Sequence, residues 1–375
     1  MVLFFQTMAL HIPLIALEEH FVSQAVTDYH ASINAPSPLP AFDTEVMESL
    51  QEVGDVRLRA MDKGQVSLQI ISHRPILIPI PPDVCKAAND ELAEAIKFQP
   101  DRFAAFCMLP TSYPEAAAQE LERCVNELGF KGSLIGNLTA GRFLDDEFFW
   151  PVFRAHESLD VPCYLHPALH PETMDPLYNG NYSGAVADFL ANHGFGWHAQ
   201  TALHVLRLFA AKLFDHFPRL KIIIGHMGEM LPFQLDRIHR LISKSWPHES
   251  KPQRHLMQVW HENIWITTAG MFSLAPMACL VHMCRADRVL YSVDYPFCSP
   301  TDGLNFMEQL HDSGMICEED FVGIAYRNAE RLLGVEAPQH IKARFESPVN
   351  NGYLSDERQD GYSVYTRSPL ETVHE

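Results

Sequence analysis

The chain has 375 residues, 47% of them hydrophobic and 20% charged, and a formal net charge of −19. That balance marks an ordinary globular protein, and the acidity excludes a nucleic-acid or anionic-membrane surface, which needs clustered Lys and Arg. The eight cysteines are dispersed without a C-x-x-C pair, which suits reduced thiols in a cytoplasmic protein and argues against a disulfide framework or a thiolate zinc site.

Met1 to Leu17 is apolar, but it lacks a positive leading segment and contains Gln6, His11 and Pro13. Residues 1–13 are therefore expected to be a short N-terminal extension and not a signal peptide. Ile15-Ala16-Leu17-Glu18-Glu19-His20 reads as the first strand. Its two-residue period projects Glu18 and His20 to one side and Glu19 to the other. A carboxylate and an imidazole aimed at one point begin a divalent-metal site, although Glu-x-His by itself is a common chance pattern.

Residues 21–42 are rich in Ser, Pro, Asn and Ala and read as an irregular loop. Residues 44–63 carry apolar positions at helical period. A strand over 66–71 then ends at Ser72-His73-Arg74-Pro75. A helix over 82–98, a strand over 103–109, a helix over 114–128, a strand over 132–135 and a helix over 146–159 follow. The strand at 162–165 runs into His166-Pro167, and the irregular stretch 168–196 is expected to cover the pocket. Helix 197–217, strand 220–224, helix 228–242, strand 263–268, a helix near 274–284 and strand 288–293 complete the alternation. Residues 337–375 are polar and lack apolar period, which predicts a flexible tail or an arm on a neighbouring subunit.

About eight short Val/Ile-rich strands alternating with helices imply an α/β fold with a parallel sheet buried on both faces, best closed as a single (β/α)8 TIM barrel over residues 14–336. No G-x-G-x-x-G follows the first strand and no Walker A loop is present, so a nucleotide-binding open sheet is disfavoured. In a barrel the C-terminal strand ends converge on one mouth. Glu18, His20, His166, His226 and Asp294 all fall at such ends, and their donors suit a borderline divalent ion.

Leu17-Glu18-Glu19-His20-Phe21, His166-Pro167, Gly225-His226-Met227-Gly228-Glu229 and Ser292-Val293-Asp294-Tyr295-Pro296-Phe297 together resemble the signature of amidohydrolase-superfamily decarboxylases. The resemblance is to the group that holds the γ-resorcylate, 2,3-dihydroxybenzoate and aminocarboxymuconate-semialdehyde decarboxylases, and it spans residues 14–335. It implies that Glu18, His20, His166 and Asp294 bind one divalent ion, zinc or manganese before magnesium, with no organic cofactor. Some dihydroxybenzoate decarboxylases carry alanine where this chain has His20, so the imidazole points to the γ-resorcylate-like branch. Strand four, Gly132-Ser133-Leu134-Ile135-Gly136, lacks the bridging lysine of two-metal relatives, and Lys131 precedes it.

The implied reaction is loss of carbon dioxide from a small hydroxylated aromatic carboxylic acid, with Asp294 as first choice for the proton donor and His226 and Glu229 as alternatives. Phe21, His73, Arg237 and Phe297 are expected at the substrate, each weighed against an ordinary packing or surface role. His193, His198 and His204 read as structural. A metal-dependent hydrolase of a lactone or amide on the same barrel is the alternative, and a non-catalytic scaffold a further one. The relatives imply a homodimer or homotetramer.

Overall fold

The structure, a computed structural model, describes residues 12–38, 44–76, 78–339 and 342. Residues 1–11 of the expected extension and most of the expected tail lie outside the described residues. The wall of the barrel is built from β1 (Leu14–Phe21), β2 (Val66–His73), β3 (Phe103–Ala105), β4 (Ser133–Gly136), β5 (Cys163–His166), β6 (Ile222–Ile224), β7 (Ile264–Thr267) and β8 (Val289–Leu290). Every pairing between these strands is parallel.

Two runs of the wall, β1-β2-β3 and β4-β5-β6-β7-β8, are joined by isolated bridges at Cys107–Ser133 and Glu19–Tyr295. At the first seam the Cys107 amide donates to the Gly132 carbonyl at 2.9 Å. At the second, Asp294 N donates to Glu18 O at 2.9 Å and His20 N donates to Tyr295 O at 2.7 Å. This last seam fixes the position of the candidate site, because it clamps the chain after β8 against the end of β1. The Tyr295–Pro296 peptide bond within it is cis.

Helices α1 (Asp55–Lys63), α2 (Pro82–Ile96), α3 (Pro114–Leu128), α4 (Trp150–Leu159), α5 (Gly196–Ala210), α6 (Leu231–Ser245), α7 (Leu274–Met283) and α8 (Pro300–Ser313) surround the wall. The strands are apolar on both faces because one face meets these helices and the other fills the lumen. In β6, Ile222, Ile223 and Ile224 are all fully buried. Each such side chain contributes about 1.5–3 kcal/mol by leaving water.

Several elements depart from the sequence expectation for local reasons. Residues 24–32, read as loop, form a helix, Gln24–Ser32, whose N-terminus is capped by Ser23 Oγ accepting from Val26 N at 3.2 Å. The helix expected over 44–63 breaks at Glu52-Val53-Gly54 into Thr44–Gln51 and α1. There the Glu52 carboxylate accepts from the amides of Val56 and Arg57, both at 3.1 Å, and so starts α1 afresh. The stretch 168–196 is not wholly irregular, since it holds the helices Asp175–Tyr178 and Gly184–Ala191. The long helix expected to Phe217 stops at Ala210, and Lys212, with φ of 62°, turns the chain into the short helix Leu213–His216.

The largest departure follows β6. A helix was expected from Gly228, but α6 begins only at Leu231. His226, Met227, Gly228, Glu229 and Met230 have φ of 47°, 53°, 88°, 55° and 71°, a left-handed run no α-helix can include. Successive non-glycine residues in that region are costly and are retained where surrounding contacts hold them, often at functional sites.

Candidate active site

The barrel places its ligand-type residues by the strand period. β1 sends Glu18 and His20 into the lumen, β5 ends on His166, the left-handed run after β6 presents His226 and Glu229, and the seam after β8 presents Asp294. One donor atom from each of Glu18, His20, His166 and Asp294 lies within 4.8 Å of all the others. His166 Nε2 is 2.9 Å from Glu18 Oε1, and His20 Nε2 is 3.3 Å from Asp294 Oδ1 and 3.9 Å from Glu18 Oε1.

These atoms converge without satisfying one another. Glu18 Oε1, both ring nitrogens of His20 and Asp294 Oδ1 are buried and have no hydrogen-bond partner, so the 2.9 Å approach of His166 is not a hydrogen bond. Such bare polar atoms cost about 1–3 kcal/mol each unless another group meets them. His166 Nδ1 lies 2.7 Å from the Pro167 carbonyl, to which it donates, and this turns the lone pair of Nε2 toward the cluster. Two carboxylates and two imidazoles with free lone pairs and no thiolate fit one zinc or manganese ion.

The surrounding side chains prepare that donor set. Tyr164 donates its hydroxyl to Glu18 Oε2 and lies 2.7 Å from Thr267 Oγ1. Burial pushes the Tyr164 pKa well up, with the Glu18 charge adding to it, so the hydroxyl stays a donor. For Glu18 burial works upward, but the charge of His226 holds it well below the usual carboxylate range. Gly225 has no side chain because a Cβ there would sit 2.6 Å from Glu18 Oε2.

Glu19 points to the other side, as its strand parity requires, and accepts from Val293 N at 3.0 Å and Gln69 Nε2 at 3.0 Å. Burial drives its pKa up to about 8. Beside it the fully buried Arg57 of α1 donates to the His20 carbonyl at 2.6 Å and lies 4.7 Å from the centre of the Tyr295 ring. Arg57 therefore ties β1, α1 and the closing seam together directly behind His20.

A second polar group adjoins the first. Glu229, fully buried, is bridged between His226 Nδ1 at 2.8 Å and His198 Nδ1 at 2.7 Å. His226 Nε2 faces the other cluster, 3.7 Å from Glu18 Oε1 and 3.9 Å from Asp294 Oδ2. Burial opposes the charge on His226, but Glu229 and Glu18 outweigh it and push the pKa up to about 10. Burial likewise opposes charge on Glu229, yet His226 and His198 hold its pKa below the ordinary value. His198, expected as a structural histidine, adjoins the candidate site; its position in the first turn of α5 carried no sequence signal.

The other expected residues divide. The Phe297 ring lies 5.8 Å from that of His20 and is 37% exposed, at the mouth. Phe21 is buried and packs edge-on against His73, which is itself buried, ring centres 5.2 Å apart. Arg237 is exposed on α6 and makes no hydrogen bond or ion pair with the cluster. Sequence reasoning missed Tyr164, Thr267, Arg57 and Trp197, whose ring lies 6.4 Å from that of His166. Tyr164, Thr267 and Trp197 are common core types within strands or helices, and Arg57 reads as an ordinary exposed helix arginine.

Known proteins resemble this chain over most of its length. The amidohydrolase family pattern matches residues 80–335. The decarboxylase orsB of Emericella nidulans is 45% identical over 332 residues, covering 86% of this chain and 97% of that protein. The γ-resorcylate decarboxylase of a Rhizobium species is 35% identical over 337 residues, covering 86% and 98%. The crystal structure of a dihydroxybenzoic acid decarboxylase from Polaromonas, with bound manganese and the inhibitor 2-nitroresorcinol, superimposes with a TM-score of 0.75 at 33% identity, covering 88% of this chain and 98% of that one. With this breadth of match, the chain belongs to the amidohydrolase family, in the company of its hydroxybenzoate decarboxylases.

Proposed function

We propose that this protein is a metal-dependent carboxy-lyase that removes carbon dioxide from a hydroxylated aromatic carboxylic acid without oxidation. The observation that carries the reading is the set of unpartnered, converging donors on Glu18, His20 and Asp294, completed by His166, at the mouth of a barrel shared with hydroxybenzoate decarboxylases. The hydrolase alternative has less support, since relatives at 45% and 35% identity are named decarboxylases and strand four lacks a bridging lysine.

Glu18, His20, His166 and Asp294 would hold the ion, which supplies positive charge to draw the substrate carboxylate and an ortho hydroxyl and to hold the ring in one orientation. Asp294, on the mouth side with its side chain 15% exposed, delivers the proton to the ring carbon that bears the carboxylate. That protonation interrupts aromaticity, the C–C bond then breaks with its electron pair returning to the ring, and carbon dioxide leaves. His226, held cationic by Glu229, faces the substrate with Nε2 and steadies negative charge on the phenolic oxygens. Phe297 covers one edge of the site.

The reaction consumes one solvent proton per turnover. In deuterium oxide the product phenol is expected to carry one deuteron at the vacated carbon, with an equivalent of carbon dioxide; acid release without gas would instead establish the hydrolase. Chelation should abolish turnover, and manganese or zinc should restore it. His20→Ala should weaken metal binding by about ten- to a hundredfold, the loss expected for a ligand or its support, and metal titration of the purified variant measures it. An unchanged affinity would remove His20 from the ligand set.

Among the described residues no helix is long and apolar enough to cross a membrane. The cytoplasmic location rests on the free state of all eight cysteines. Assembly as a homodimer or homotetramer is supported by large apolar side chains left open, Leu177 at 76% and Phe233 at 82% exposure.

A further inference from the structure

β4 and β5 run side by side to the mouth, and their last paired residues are Gly136 and His166. The next residue on the β4 side, Asn137, is fully buried. Its amide N–H donates to the His166 carbonyl at 2.8 Å, which carries the pairing one step past the strands. Its side chain then grips the chain leaving β5, Oδ1 accepting from Ala168 N at 3.0 Å. On the other side Nδ2 donates at 2.9 Å to Oγ1 of Thr201 on α5, and that hydroxyl donates to the Trp197 carbonyl at 2.9 Å. With its proton spent on Trp197, Oγ1 can only accept from Asn137, which fixes the amide with its oxygen toward Ala168.

The Ala168 N–H is one end of a planar peptide unit whose other end is the Pro167 carbonyl. That carbonyl accepts from His166 Nδ1 at 2.7 Å. Asn137 Oδ1, the 167–168 peptide and the His166 ring therefore form one chain of hydrogen bonds ending at Nε2, inside the donor set. Each bond in such a chain polarises the next. An acceptor on the peptide N–H makes its carbonyl a stronger acceptor, and the imidazole bonded to that carbonyl becomes a stronger metal ligand. The peptide is also held in direction, because Asn137 fixes the chain at the His166 carbonyl and again at Ala168 N, on either side of Pro167.

We propose that Asn137 is a positioning residue for the metal, acting through the 167–168 peptide to aim the Nε2 lone pair of His166 and raise its donor strength. The inference rests on the reading of His166 as a metal ligand. A leucine at 137 has the same branching but would leave the buried Ala168 N–H bare, whereas an aspartate would keep an acceptor there.

Manganese binding, followed by the electron paramagnetic resonance signal of the free ion, tests the role without turnover. Asn137→Leu is expected to weaken binding by about tenfold or more, the scale for losing a group that supports a metal-bound histidine. Asn137→Asp should stay within about threefold of wild type, since an oxygen still faces Ala168 N. In a His166→Ala background the leucine substitution should add less than about twofold, because its route to the ion is gone. An asparagine that served stability alone would weaken the site equally in both backgrounds. Unchanged affinity in Asn137→Leu, an equal loss in Asn137→Asp, or an equal loss with and without the His166 ring would overturn the role. Asn137→Ala removes the same oxygen and takes the place of the leucine variant should that one not fold. His166→Ala alone separates the two readings. Wild-type affinity there would strike His166 from the ligand set and this inference with it, whereas a weakened His166→Ala beside an unaffected Asn137→Leu overturns the inference only.

Discussion

Asp294→Asn is expected to lower kcat by about 10^3-fold while the protein melts at an unchanged temperature. A positioned proton donor contributes roughly 10^2–10^4 to rate, and asparagine keeps the shape and one oxygen of aspartate but has no proton to deliver. Asp294 stands between His20 Nε2 at 3.3 Å and His226 Nε2 at 3.9 Å, so its loss also removes a carboxylate from the donor set. The effects separate by measurement. Metal content after reconstitution reports the ligand role, and kcat at saturating metal reports the proton transfer. A kcat within tenfold of wild type at full metal occupancy would move the proton donor to His226. The backbone makes the site sensitive to bulk as well: Asp294 has φ of 73°, and a Cβ on Gly270 would lie 3.2 Å from its Oδ2. Gly270→Ala should therefore disturb Asp294 without touching any charge.

The same residues show how much of the site the sequence carried. Strand parity on β1 was sufficient to place Glu18 and His20 inward and Glu19 outward, because a strand has one period and the pattern was short and apolar. Barrel closure then followed from the alternation of strands and helices, and it explains why His166 and Asp294, 128 residues apart in the numbering, share one site. What the sequence could not show depends on backbone angles and on distant partners. The left-handed run from His226 to Met230 contains only one glycine, so its conformation is imposed by tertiary contacts and has no local signature. His198 lies on the face of α5 that meets Glu229, and nothing in the helical pattern separates that face from an ordinary packed one. Arg57 was an unremarked helix position, yet it is fully buried, its amide held by the Glu52 carboxylate at the start of α1 and its guanidinium donating to the His20 carbonyl.

Glu229→Gln should reduce kcat by about 10^2-fold and move the alkaline limb of the kcat profile to lower pH. The carboxylate accepts from Nδ1 of both His226 and His198, and its charge is the largest influence raising the His226 pKa toward 10 against burial. The sign follows: with a neutral amide in its place the folded-state pKa of His226 falls, so the imidazolium is lost at a lower pH and activity that depends on it declines earlier. Glutamine also offers one oxygen and one amino group to two ring N–H donors, so one imidazole must turn its acceptor inward or lose its bond. His198→Asn supplies the control, because the amide N–H can replace the Nδ1 donor to Glu229 and should retain kcat within about tenfold. His198→Leu removes that donor and leaves the carboxylate half-satisfied in a buried setting, so its effect should lie between those of the asparagine and Glu229→Gln variants. A pH–rate profile unaltered by Glu229→Gln would show that the His226 charge plays no part in the rate. The histidine at the end of β6 would then serve shape alone, and the strained left-handed turn that presents it would lack a chemical reason.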